Sequence, residues 1–353
     1  MRISTNQFHS QGINSIQKHQ ENLLDMQVKL STGKRVNKAS DDPVAAGQIH
    51  SLNRTMNTID QYARNGEFAK TQLVLEETAI DDTTNSLQRA RELGIQMING
   101  TYNPSNRQAT AQEIGQIINQ VRNMMNYRTS EGESLFAGND VDKQPYVVDG
   151  GTYDDTTTVP VETAGGFYSY IGNLPVADPD YSPTANFGSR FLQIGFDSDN
   201  KLSSDDSGDA SRVRVSDNGS DVFNIPGGAT SLTKYDDGAG NPPDSNILNV
   251  LVEMKKQLDA GEPVSLEVVE DITSSITQLS QVRAEIGGRQ NRIENQYEAG
   301  ENFKLALTER KSNLEDQDVV AGISEFTRNQ TALQMAQQIF SKVQNLSLFN
   351  YLR

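Results

Sequence analysis

The 353-residue chain has no cysteine and no tryptophan. Without cysteine it can form neither a disulfide framework nor a reactive thiolate, and it lacks the usual ligands of a zinc ribbon. Basic residues are scarce too, with 31 Lys and Arg against 47 Asp and Glu and a formal charge of −16. Coating a nucleic acid requires Lys and Arg to neutralise phosphates, so a protein partner is expected and a nucleic acid is not. No apolar run approaches the ~18 residues that cross a bilayer, and "MRISTNQFHSQ" has no apolar stretch before a small-residue cleavage site. Neither a membrane partner nor Sec-type export with a cleaved signal peptide is expected.

Catalytic vocabulary is equally thin. The three histidines, His9, His19 and His50, have no HExxH-type spacing, and no GxxxxGK[ST], GxGxxG or GxSxG stretch occurs. The acidic run "DSDNKLSSDDSGD" fails as an EF-hand from Asp197, because position six is Leu202 and position twelve is Gly208. Two glycosylation-type triplets, at Asn329 and Asn345, fall inside a predicted helix. The reading is a chain with no catalytic residues, no metal site and no cofactor. A hydrophobic fraction of 35% and a mean hydropathy of −0.60 point to long helices with much exposed surface.

Composition shifts near residue 140 and again near 245. Between these bounds lie 8 of the 11 prolines, 11 of the 23 Phe and Tyr, and 18 Asp and Glu against 6 Lys and Arg, so this window carries −12 of the total charge. Short runs in it, "QPYVV", "GFYSYI", "RFLQIGF" and "SRVRVS", read as strands between turns. The flanks carry helical periodicity instead. Asp42 as N-cap and Pro43 at the first helical position start a helix with Ile49, Leu52, Met56 and Ile59 on one face. Another follows "NGTYNPSN" with Ile114, Ile117, Val121 and Met124. A near-heptad row of Ile272, Ile276, Leu279, Ile286, Ile293, Leu307 and Leu314 predicts a long helix beyond the β segment. The expected fold is an elongated α+β chain: assembly helices at 1–40 and 315–353, mobile in the free subunit, a long helical domain at 41–139 and 246–314 with a short β element near 132–138, and an acidic β-rich domain at 140–245.

The two end segments are the least ordinary. Val319, Phe326, Leu333 and Phe340 recur every seven residues, and a second row holds Ile323, Gln330, Gln337 and Gln344. Near the start, Ile16, Leu23 and Leu30 form one row and Ile13, Gln20 and Gln27 the other. A seam that is half glutamine is marginal, since each buried apolar side chain contributes roughly 1.5–3 kcal/mol and ordering costs about 1–2 kcal/mol per residue. Further copies of the chain should cover these helices, and the large residues, with Leu346 and Phe349 near the end, are the candidate assembly interface. In the alternative rotation Leu24, Val28, Ala336 and Val343 complete the buried face and the glutamines lie at its edge.

The stretch "LSTGKRVNKASDDPVAAGQ", Leu30 to Gln48, resembles the N-terminal signature of the bacterial flagellin family, and the C-terminal helix is similar to its C-terminal partner. The start "MRIST", "SLFAG" at Ser134 to Gly138, "VRAEIG" at Val282 to Gly287 and "SLFNYL" at Ser347 to Leu352 look like the branch that joins hook to filament rather than the filament flagellins. The likeness covers about the first 140 and last 100 residues. It implies a non-enzymatic subunit of the extracellular flagellum that assembles as a ring, with terminal helices lining an inner tube and the β domain outside. It further implies unfolded passage through the flagellar type III export channel, a cytoplasmic chaperone on the C-terminal segment, and a neighbouring hook-associated protein and flagellin as partners. The competing readings are a filament flagellin and an extracellular adhesin carrying its acidic domain on a helical stalk.

Overall fold

Asp42 and Pro43 open one of the long helices. In the computed structural model Asp42 Oδ1 accepts a hydrogen bond from Ala45 N at 3.0 Å, satisfying a first-turn donor, and Pro43 sits where a missing N–H costs nothing. The structure describes residues 2–155, 162–164, 166–174, 176, 178–186, 190–196, 211–237 and 240–349, with backbone alone at 2–6, 8, 9, 154, 155, 162–164, 186 and 343–349. In chain order the elements are α1 (Arg2–Thr32), α2 (Pro43–Ile98), α3 (Pro104–Met125), β1 (Tyr146–Val148), β2 (Thr152–Asp155), β3 (Glu162–Ala164), β4 (Tyr168–Tyr170), β5 (Phe191–Gln193), β6 (Arg212–Arg214), α4 (Gly219–Phe223), β7 (Tyr235–Asp236), α5 (Ile247–Asp259), α6 (Leu266–Glu315) and α7 (Val319–Phe349). The class is α+β. Two compact units form, one from Met1–Asp60 with Glu301–Arg353, the other from Gln61–Gly300.

In the first unit α1 pairs with α7, and the start of α2 packs on the end of α6. Ala45, Ile49, Leu52, Met56 and Ile59 recur at helical spacing on α2 and meet Leu307 and Leu314. Gly33, at φ +68°, turns the chain out of α1, a conformation that glycine adopts without strain. The following residues are clasped against the end of α6: Arg35 N donates to Glu315 O at 2.7 Å and Gln317 N to Gly33 O at 2.9 Å. Lys34 Nζ adds an ion pair to Glu315 at 2.5 Å.

The second unit holds the larger core. Leu73, Ile80 and Leu87 on α2, Ile114 and Val121 on α3, Leu251 and Met254 on α5, and Ile272, Leu279 and Ile286 on α6 are all buried. Asn103 caps α3 by accepting from Asn106 N at 2.8 Å, and Pro104 follows it. The buried methionine of that helix is Met125; Met124 is only partly covered, because the face turns one residue further at the helix end.

Each of the four short runs holds a strand. β1 pairs with β4 (Tyr146 opposite Tyr170), β2 lies between β3 and β7, and β5 pairs with β6 (Phe191 opposite Arg214), all antiparallel. These sheets share the helices' core, because Tyr146, Phe167, Tyr170 and Val213 join the same buried cluster. The "SLFAG" stretch belongs to it as well. Phe136 meets Phe223 edge-on at 4.8 Å, and Gly219 N donates to Phe136 O at 2.8 Å. A Cβ at Gly219 would lie 2.9 Å from that carbonyl, so glycine permits the approach. The shifts in composition at 140 and 245 thus mark a change of secondary structure, whereas the compact units divide at 60/61 and 300/301.

Candidate assembly interface

The end helices run antiparallel. Gly12 lies against Phe340 and Gly322 against Leu30, and the interval is 18 residues, five turns, along each helix. Between these contacts a row of covered positions steps by four and three: Gly12, Ile16, His19, Leu23, Met26 and Leu30 on α1, and Gly322, Phe326, Asn329, Leu333, Ala336 and Phe340 on α7, with Lys29 and Ala332 partly covered beside it. This is a seven-residue repeat of the coiled-coil kind, with glycines drawing the backbones together.

Six of the expected residues, Ile16, Leu23, Leu30, Phe326, Leu333 and Phe340, lie on this seam and are partly buried within the subunit itself. Ile13, Val319 and Ile323 do not, being 46%, 54% and 54% exposed. Leu24, Val28, Val320, Met335 and Ile339 are exposed as well, which leaves both helices with apolar side chains away from their common seam. The side chains of Leu346 and Phe349 lie outside the described residues.

The glutamine rows are off the seam. Gln20, Gln27, Gln330 and Gln337 are exposed, one position beyond His19, Met26, Asn329 and Ala336, which form the true second row; Gln344 lies outside the described side chains. Of the residues of the alternative rotation, Ala336 is covered within the subunit, Leu24 and Val28 are exposed, and the side chain of Val343 lies outside the described residues. In the sequence Gly12, His19, Gly322 and Asn329 look like polar or helix-breaking positions, whereas in a close helix pair a glycine is the socket for a ring or a leucine. The signal was available in the spacing, since Gly12 stands four before Ile16 and Gly322 four before Phe326.

Beside the seam, the signature segment forms a charged corner. The Asp42 carboxyl accepts from Ala45 N and pairs with Arg35 at 3.2 Å, and these two, in that order, hold it below the ordinary aspartate value. Asp41 Oδ2 accepts from Lys38 N at 2.9 Å and Asn37 N at 3.0 Å, which lowers its carboxyl likewise. Arg35 also donates to Leu314 O at 2.8 Å, and the bond to Glu315 raises Lys34. The corner is built from backbone amides and opposite charges, and no reacting group is poised in it. Among the described residues no His, Asp or Glu cluster suits a metal ion, and no helix is long and apolar enough to cross a membrane. His19 lies on the α1 seam and His50 is exposed, while the His9 side chain and the acidic run from Asp197 to Asp209 lie outside the described residues.

A paired first and last helix, with the signature corner closing the first onto α6, can be compared with known proteins. The bacterial flagellin N-terminal helical region matches residues 3–140, and the flagellin C-terminal helical region matches residues 269–352. The chain belongs to the flagellin family. It is 26% identical over 99% of both chains to flagellar hook-associated protein 3 of Escherichia coli (strain K12), and 27% identical over the same share to that of Salmonella typhimurium. Bacillus subtilis flagellin is 24% identical over 97% of this flagellin-family chain and 96% of its own. Among solved structures, hook-associated protein 3 of Legionella pneumophila has a TM-score of 0.52 at 16% identity, covering 75% of this chain and 98% of its own. A flagellar hook-associated protein of Vibrio parahaemolyticus has 0.55 at 20%, covering 78% and 100%. Both share the fold.

Proposed function

We propose that this flagellin-family chain is the structural subunit that joins the hook side of the bacterial flagellum to its filament. The observation that carries the reading is the match to two hook-associated proteins 3 along 99% of both chains, at higher identity than to the flagellin that also matches end to end. The exposed apolar side chains of α1 and α7 supply a surface for neighbouring copies, since contiguous apolar patches on a soluble subunit mark association sites. On this reading the subunit sits extracellularly as a ring between another hook-associated protein and flagellin, passes unfolded through type III export, and is held beforehand by a chaperone on its C-terminal segment. It has no enzymatic role.

Deleting the gene tests the function. The expected phenotype is complete hooks without filaments, with flagellin monomers shed into the medium and filaments restored by the chain supplied in trans. Filaments still attached in the deletion strain overturn the reading. A strain that lacks filament and shed flagellin alike, with normal hooks, instead identifies the chain as the filament flagellin.

A further inference from the structure

In the second unit one carboxyl group is buried without a donor. Glu76, on α2, is 1% exposed, and neither of its oxygens has a hydrogen-bond partner. Asp217, 2% exposed and three residues past β6, stands within hydrogen-bonding reach of it. Asp217 is held on its other side by Arg289 of α6, whose Nη1 donates to Oδ2 at 3.0 Å. Arg214 Nε lies 2.8 Å from Asp217 Oδ1 but is not aligned to donate, so that oxygen also lacks a donor.

Two carboxyl groups facing each other in a site closed to water cannot both be ionised at low cost. The surrounding charge supports one anion there. Arg214 and Arg289 are two cations, Glu285 pairs with both, and Asp217 supplies the second negative charge. Asp221 of α4 is a further charged group and interacts with Arg214, Asp217 and Glu285. A proton on Glu76 spares the cluster a further negative charge and gives an O–H donor to the orphan oxygen of Asp217.

We infer that Glu76 is carried as a neutral carboxylic acid that donates its proton to Asp217, so that the docking of the 211–223 segment on α2 and α6 is a proton-dependent joint. Burial, and then the Asp217 charge, push the Glu76 carboxyl well above the usual glutamate range, in keeping with this. The sign follows: a carboxyl that holds its proton more tightly when folded stabilises the fold in acid. That contribution is lost as pH rises from the ordinary value of 4.5 through the raised folded value.

Glu76→Gln keeps the shape and a donor while removing the titration. The ratio of unfolding constants, full-length wild type over Glu76→Gln, should rise roughly tenfold per pH unit above pH 4.5 until the folded value is passed. Amide exchange in residues 212–223 should accelerate with pH in the wild type beyond the intrinsic rate and not in the variant. Wild-type protein labelled with 13C at the glutamate carboxyls should show one neutral glutamate at pH 6, absent from the variant. A pH-independent ratio overturns the inference, and so does a wild-type spectrum in which every glutamate is ionised at pH 6. The wild-type carboxyl spectrum decides alone if the variant does not fold.

Discussion

The ring of Phe340 rests on the backbone of Gly12 so closely that a Cβ there would come within 2.8 Å of it, and Leu30 rests on Gly322 at the same separation. These contacts lie five turns apart on each helix and set the register of the end pair. Gly12→Leu and Gly322→Leu should each force the helices apart. The expected cost is about 1–3 kcal/mol to the pair, as for overpacking elsewhere. Amide exchange in 7–32 and 319–342 should then accelerate, while exchange in 61–125 stays as it was.

The seam and the surface beside it make separate demands. Leu333→Asp places a carboxylate on the seam and should destabilise the α1 and α7 pair by about 2–3 kcal/mol. Ile323→Asp, on an exposed position, should leave subunit stability within about 0.5 kcal/mol. Both should abolish filament attachment in cells, Ile323→Asp with an unaltered monomer melting curve. Normal motility with Ile323→Asp would remove that face from the interface.

Asp42 should give the first unit an acid limit. Its carboxyl is held below the ordinary 3.8 by the Ala45 amide and Arg35, so its stabilisation is present above pH 3.8 and lost as pH falls through the lower folded value. Asp42→Ala should therefore melt below the wild type at neutral pH, and the two curves should converge in acid. Asp42→Asn, which retains an acceptor for Ala45 N, should fall between them at pH 7.

Arg289 and Asp217 are both about 3% exposed in their side chains, so removing either deprives a buried charge of its hydrogen-bonded partner. Arg289→Met should lower the stability of the second unit by about 3–5 kcal/mol, read as a drop in urea midpoint at constant slope. The double variant with Asp217→Asn should lose less than the sum of the two single losses, because the two side chains share one buried, hydrogen-bonded ion pair.

Much of the helical frame was legible because single residues spoke for it. Asp42 with Pro43, and Asn103 with Pro104, are start signals whose chemistry is local, and Leu279 and Ile286 repeat on a face wide enough to survive a one-residue error. The seam of α1 and α7 was half legible. Its large residues announced themselves, but Gly12 and Gly322 act through the absence of a side chain, and only the partner helix gives that absence meaning. The aromatic residues of 140–245 were found and their destination was not. Phe167 and Tyr170 read alike in a core of their own and in one shared with helices, since hydrophobicity alone does not state what a ring packs against.

The clasp between Gly33 and Gln317 joins the two ends of the polypeptide, and this has a consequence for the order of events when the chain first folds. The second unit runs without interruption from 61 to 300, so every residue it needs is present once that stretch has emerged. The first unit is different in kind. Arg35 must wait for Glu315, and Gly12 for Phe340, contacts separated by nearly the whole chain. Closing so long a loop is slow, and it cannot begin before the last helix is available. Until then α1 has no partner helix within reach, however early it is made.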